Sequence, residues 1–357
     1  MGRDEFHLVV QKGRSFQRAC PWVPVLLDAG RHLVVAIDPA SVETSRDGDY
    51  GIEPLGNGRV VHTACPPHEP TTGRLGTPLG PVDRQAFTAD LSHLTDLFTR
   101  LSTDPLYRQA ADYTAGRLRD LGYTVEMPEF AVGTAGSSVN VVGRRIGTGD
   151  DRGEILVTAH LDAINHEDGP RARAPGADDN ASGSCGALEI ARRLTRGDTE
   201  HDVTIVLFGG EEQGLYGSRA YVADLSPADR ARIRAVLNMD MIGRVNTEPP
   251  TVLFEGAPIS ADLIDRLADA AAAQTSPAVE TSLIPYASDH VPFIEAGIPA
   301  VLAIEGGDGA NDAVHTARDT ADRIDPTFAA DILTAVGAVV ADIAGYRRTP
   351  TADGDPS

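Results

Sequence analysis

The chain has 357 residues, enough to bury a large core in one big domain or two smaller ones, and it carries 31 basic against 52 acidic residues for a formal net charge of −21. That surplus argues against nucleic acid or an anionic membrane surface as partner, since both reward clustered basic residues, and here the basic charge is nearly all arginine, with Lys12 the only lysine. Cys20, Cys65 and Cys185 are odd in number and widely scattered, which argues against a disulfide framework or a paired-thiolate metal site.

The start, MGRDEFHLVVQKGRSF, lacks the charged-then-apolar pattern of a secretory signal, and no apolar run is read as membrane-spanning, so the expectation is a soluble, cytoplasmic protein. Within residues 1–63, the short apolar runs FHLVV, VPVLL and HLVVAI predict strands of a small β-rich or α/β module. Residues 64–84 are rich in Pro, Gly and Thr and read as a linker. A larger domain is expected over 85–346. It opens on a helix with Asp104 as N-cap, Pro105 at the first helical position and Gly122 as stop.

Strands then alternate with helices: EILVTAH, SGSCGALEIARRL, VTIVLFG, GSRAYVADL, RAVLNMDM, ADLIDRLADAAAA, PAVLAIE and PTFAADILTAVGAVVADIAGY. The alternation predicts an α/β three-layer sandwich with a mostly parallel central sheet. The tail, 347–357, reads as disordered.

In such a fold ligands sit beyond the carboxyl ends of the strands. The residues at those positions are mostly metal-binding types. His160 and Asp162 follow ILVTA, Glu211 and Glu212 follow VTIVLFGG, AVLNM runs into Asp240, GADDNASG precedes a helix, and His315 lies in the loop before the last helix. Singly, each has a dull explanation, such as an acid at a helix N-terminus or a histidine hydrogen-bonded at a strand end. Together they point to a site. Imidazole and carboxylate without thiolate suit zinc, with cobalt or manganese as alternatives, and are too rich in nitrogen for calcium or magnesium. Two histidines and three acids exceed what one catalytic zinc needs, but suit two ions about 3.5–4 Å apart that share a carboxylate.

The segments AHLD, PGADDNASG, FGGEEQGLYGS, LNMDMIG, SDH and HTARDT resemble, in order and context, the di-zinc exopeptidases of the bacterial leucyl aminopeptidase type, over roughly residues 90–345. Relatives in that family include glutamate carboxypeptidase and glutaminyl cyclase. The resemblance implies two Zn2+ per chain. Asp179 would bridge them, His160 and Asp240 would complete one, and Glu212 and His315 the other. Glu211 would be the general base for a water held between the ions, and Asp162 would accept the second ring N–H of His160. Tyr286, just before SDH, is the candidate hydrogen-bond donor to the oxyanion, although LIPYASDHVPF lacks the cysteine pair that secreted members carry around this loop.

The small residues of GADDNASG would let the backbone pass close to the ions, while Asp178 faces outward or braces the loop. His166 and His201 read as surface histidines, and His290 as a support of its loop. The implied activity is aminopeptidase action on a peptide or small amino-acyl substrate. Glutaminyl cyclase, carboxypeptidase, dipeptidase and a non-catalytic binding module remain alternatives on the same scaffold. The first 80 or so residues match no known family.

Overall fold

The structure, a computed structural model, describes residues 5–11, 14–29, 32–42, 50–55 and 78–349. Strands β1 (Glu5–Gln11), β2 (Val25–Ala29), β3 (His32–Ile37) and β4 (Tyr50–Pro54) form an antiparallel sheet of order β2-β3-β1-β4, with the short helix α1 (Ser15–Ala19) against it. Along β3 the residues Leu33, Val35 and Ile37 are buried while their neighbours are half-exposed, and they pack with Val9 and Phe16. This is the two-residue period of a strand with one covered face. Most of the expected linker, 64–77, and Cys65 with it, lies outside the described residues; 78–83 have no regular secondary structure.

The larger unit opens on α2 (Arg84–Asp96) and α3 (Pro105–Asp120). Asp104 caps α3 by accepting from Leu106 N at 2.9 Å, and Gly122 beyond its end has φ 83°, a backbone region that favours glycine. Then come β5 (Thr124–Glu126), β6 (Glu129–Val132), β7 (Gly136–Val139), β8 (Val141–Arg145), β9 (Glu154–His160), α4 (Gly183–Leu194), β10 (Gly197–Asp198) and β11 (Asp202–Phe208). They are followed by α5 (Tyr216–Asp224), α6 (Pro227–Arg232), β12 (Ile233–Met239), β13 (Thr251–Glu255), α7 (Ala261–Gln274), β14 (Ala278–Ser282), α8 (His290–Glu295), β15 (Ala300–Glu305), α9 (Pro326–Ala344) and β16 (Arg347–Arg348).

Eight of these strands make one sheet of order β14-β13-β15-β12-β9-β11-β8-β5. Its centre, β15-β12-β9-β11, is parallel throughout; β8 pairs antiparallel to β11 and β13 antiparallel to β15. Helices cover both faces. Ile155, Val157 and Ala159 of β9 point into the core shared with α3, α4, α7 and α9, whereas Leu156 points into the core shared with α5 and α8. Burial on both faces is why the central strands read as unbroken apolar runs.

Two expectations need correction. Helix α9 is long and apolar enough to cross a membrane by length and composition, contrary to the reading above, yet two thirds of its apolar window is buried within the fold against α7, α2 and β9, as a core helix would be. Arg347 and Arg348, placed in the disordered tail, instead pair with Asp198 and Gly197 as a two-stranded ribbon; residues 350–357 lie outside the described residues.

Candidate metal centre

From β9 the chain passes to β11 on one side, then returns across β9 to β12 on the other, so the carboxyl ends of these three strands flank a switch point in the sheet. His160 ends β9, Asp240 directly follows β12, and Glu211 and Glu212 lie in the turn after β11. Asp179 comes from the tight turn before α4, and His315 from the loop between β15 and α9, with a left-handed backbone at φ 57°.

All six side chains are buried and converge. His160 Nε2 lies 3.1 Å from Asp179 Oδ1 and 3.2 Å from Asp240 Oδ1. His315 Nε2 lies 3.0 Å from Asp179 Oδ2 and 2.9 Å from Glu212 Oε2. Asp179 therefore divides its two oxygens between the two histidines. Glu211 joins His160 and Asp240 in one group whose ligand atoms all lie within 4.8 Å of one another.

The turn that presents Asp179 needs its glycines. At Gly176 a Cβ would come within 2.4 Å of Ala163 Cβ and 2.5 Å of the Asp179 carbonyl, and at Gly183 within 2.4 Å of the Met239 carbonyl. The closeness is to neighbouring backbone and side chains, which fixes where Asp179 points. Asn180 ties the turn to β12, donating from Nδ2 to Met239 O at 2.9 Å. Asp178 does not face outward: it is fully buried, accepting from Gly243 N and Asn311 Nδ2 at 2.8 Å each, and so braces the loop.

Four supports are assigned no individual role by the sequence, although Ser288, Asn238 and Asp319 lie in the segments SDH, LNMDMIG and HTARDT. Arg100 is fully buried and donates to the carbonyls of Leu94, Leu161, Pro175 and Gly176, clamping both ends of the loop between His160 and Asp179. The Asp319 carboxylate accepts from the backbone N–H groups of Asp178 and Asp179 at 3.0 Å. Ser288 donates to Asp240 Oδ2 at 2.7 Å and accepts from Asn238, which in turn accepts from Thr158. Of these, Asn238 carried a signal in the sequence, a lone amide inside the apolar strand AVLNM, since a buried amide must find partners.

Asp162 differs from the expectation. Its carboxylate is 3.6 Å from His160 Nδ1, while its backbone oxygen is 3.2 Å from that nitrogen. The carboxylate instead accepts from Glu211 N at 3.2 Å and Glu212 N at 3.3 Å. It orders the turn that carries both glutamates.

The charges are unbalanced toward the negative. Burial disfavours a charged His160, but Asp240, Glu211 and its contacts with Asp162 and Asp179 lift its pKa well above the imidazole range. His315 is lifted in the same way, against its own burial, by Glu212 and Asp179. Burial alone would raise Asp179, yet hydrogen bonds from the two histidines hold it well below the usual carboxylate value. Glu212 is pushed up to about 8, by burial and then by the Asp179 charge. Its Oε1 is buried with no hydrogen-bond partner. Two imidazoles cannot neutralise so many buried carboxylates, and an unsatisfied oxygen aimed among them fits a divalent cation. The donor set of nitrogen and oxygen without sulfur suits zinc.

The remaining candidates fall as follows. Tyr286 is half-buried with its backbone N–H donating to Glu255 Oε1 at 3.0 Å, and a Cβ on Gly51 of β4 would sit 3.5 Å from its ring. His290 is buried at the start of α8, 3.9 Å from Glu255 Oε1. His201 is not a surface residue: it is buried and its Nδ1 accepts from Gly153 N. His166 is not an ordinary surface residue either, because its half-buried ring packs edge-on against His315. Helix α1 of the N-terminal unit meets the loop between β15 and α9, where Arg18 donates to the Asp312 and Val314 carbonyls at 3.2 and 3.4 Å.

Residues 140–340, more than half of the chain, match peptidase family M28. The leupeptin-inactivating enzyme 1 of Streptomyces exfoliatus is 31% identical over 205 residues, covering 57% of this chain and 43% of that one. An aminopeptidase of Pseudomonas aeruginosa is 33% identical over 168 residues, covering 45% of this chain and 30% of that one. The chain thus spans less than half the length of these curated relatives. Among solved structures, the zinc aminopeptidase BSAP of Bacillus subtilis superposes with a TM-score of 0.66 at 18% identity over 74% of this chain and 95% of that one, a likeness of fold alone.

Proposed function

The chain belongs to peptidase family M28, and from that membership and the buried cluster we propose that it is a metal-dependent aminopeptidase, removing the N-terminal residue of a peptide or small amino-acyl substrate. The observation that carries the reading is the Asp179 carboxylate, with one oxygen beside His160 and the other beside His315. We assign His160 and Asp240 to one zinc ion, Glu212 and His315 to a second, and Asp179 to both. Bound there, the ions would lower the pKa of a water molecule and polarise the scissile carbonyl.

The rest of the chemistry belongs to the chain. Glu211 takes a proton from the attacking water and returns it to the leaving amine. Asp162 holds the backbone of Glu211 and Glu212 in place through two accepted hydrogen bonds. The Ser288 hydroxyl fixes the orientation of the Asp240 carboxylate. The Tyr286 hydroxyl is the donor we assign to the developing oxyanion. In this reading 85–346 is the catalytic domain and 1–63 a separate module, joined by 64–84. The relatives named as aminopeptidases support the preference for the N-terminus.

The test is mass spectrometry of defined peptides with free and blocked ends, some beginning with Gln, incubated with zinc-loaded protein and with a Glu211→Gln control. Stepwise loss of N-terminal residues from free amines alone, absent in the control, is the expected result. Loss of ammonia from N-terminal Gln would replace the reading with a cyclase, and C-terminal trimming with a carboxypeptidase. Intact peptides throughout would refute a general exopeptidase.

A further inference from the structure

His166 has no part in the ligand assignment above, yet the fold brings it to the same place. It sits in the loop that follows β9, and its backbone N–H donates to the His315 carbonyl at 2.9 Å. Its ring meets that of His315 edge-on, with centroids 4.7 Å apart and planes at 84°. One ring nitrogen of His166, one of His315 and a carboxylate oxygen of Glu212 all lie within 4.8 Å of one another. Two donors bonded at about 2.1 Å to one tetrahedral zinc ion lie about 3.4 Å apart, so a rotation of the His166 side chain toward Glu212 would let these three atoms share one ion.

The loop is built to hold this position. Asn165 accepts from Asp168 N at 2.7 Å and donates to Arg173 O at 2.8 Å, closing a tight local turn around His166. Arg100 anchors the loop at both ends through Leu161 and Gly176.

We propose that His166 is a further ligand of the ion held by Glu212 and His315, an assignment that rests on the two-metal reading given above. No second histidine stands in the same relation to His160 and Asp240 among the described residues; the group there is completed by Glu211. The two halves of the site are therefore unequal. The extra imidazole strengthens binding on the Glu212 side and fills a position there, which leaves the open position for substrate on the His160 side.

The experiment is stepwise titration of chelator-treated full-length protein with Co2+, followed by calorimetry and visible absorption, in the wild type, His166→Ala and His166→Gly. The expected result is that His166→Ala weakens one of the two binding events by tenfold or more and leaves the other unchanged. The absorption of the weakened event should intensify as its coordination number falls, and added imidazole should reverse both changes in His166→Gly. Unchanged affinities and spectra would overturn the proposal. So would loss of both ions together, which would make His166 a prop for the loop and not a ligand of one ion. A wild type that takes up fewer than two ions would instead overturn the two-metal reading itself, whatever the His166 variants do.

Discussion

Replacing Asp162 by Asn separates two accounts of how this buried carboxylate serves the site. If it acted through the imidazole, its oxygen would have to hold His160 Nδ1, but that distance is 3.6 Å, beyond a useful hydrogen bond. Its short contacts are with the backbone N–H groups of Glu211 and Glu212, at 3.2 and 3.3 Å. Asp162→Asn preserves shape but leaves one oxygen for two N–H donors and turns an NH2 group toward one of them. A buried hydrogen bond to a charged acceptor is worth about 1.5–3 kcal/mol, which corresponds to roughly 10- to 100-fold in an equilibrium or rate constant. The loss falls on the turn that carries both the proposed base, Glu211, and a proposed ligand, Glu212. We therefore expect kcat on an aminoacyl chromogenic amide, and zinc affinity on the Glu212 side, each to drop by roughly 10- to 100-fold. Hydrogen exchange at the Glu211 and Glu212 amides should accelerate in parallel. Unchanged protection with kcat within about twofold of wild type would refute the reasoning. Selective weakening of the His160-side ion would return Asp162 to the role inferred from sequence.

Three further outcomes follow from the same geometry. Asp179→Ala should release both ions together, read by metal analysis after dialysis; a variant that keeps two tightly bound ions would remove Asp179 from the bridge. Arg100→Met strips the donors from four buried carbonyls, so at about 1–3 kcal/mol for each acceptor left unsatisfied we expect a destabilisation of at least about 3 kcal/mol in chemical unfolding. A loss below about 1 kcal/mol would mean that water replaces the guanidinium at little cost. In chelator-treated protein, His160 and His315 have raised pKa values and Asp179 a lowered one. The histidine contribution to stability is full below the unfolded imidazole value of about 6.5 and is lost as pH rises through the raised folded values, whereas that of Asp179 is lost as pH falls below its unfolded value of about 3.9. Metal-free protein should thus melt highest in mildly acidic buffer, while zinc affinity climbs with pH as the imidazoles lose their protons. A zinc affinity flat between about pH 6 and 9 would contradict the raised histidines.

The sequence discloses the candidate ligands better than it discloses their supports, and the reason is physical. Carboxylates and histidines at the ends of apolar strands are expensive to bury, so His160, Glu211, Glu212 and Asp240, each with a dull explanation singly, are informative as a set. The central strands were equally visible, because burial on both faces makes them continuous apolar runs. Strands β5, β8, β13 and β14 leave weak marks in the sequence: they are short, and β5 and β14 at the two ends of the sheet expose much of their length, which blurs both the apolar run and the two-residue period.

Supports are harder, since their meaning depends on which loops meet. Arg100 reads as one more arginine in a chain full of them, and only the fold shows that its partners include carbonyls 61, 75 and 76 residues away. His166 reads as surface because its neighbours in sequence, Glu167, Asp168 and Gly169, are polar or small, while its partner in space is His315. Asp162 is a third case. The resemblance implies the His160 ring as its partner, but a strand that has just ended leaves its side chain free to reach the next loop, where it accepts from the Glu211 and Glu212 N–H groups. A polar residue beside a ligand is thus evidence that something nearby needs holding. What it holds is decided by the strand order, here β12-β9-β11, which puts the glutamate turn next to the end of β9.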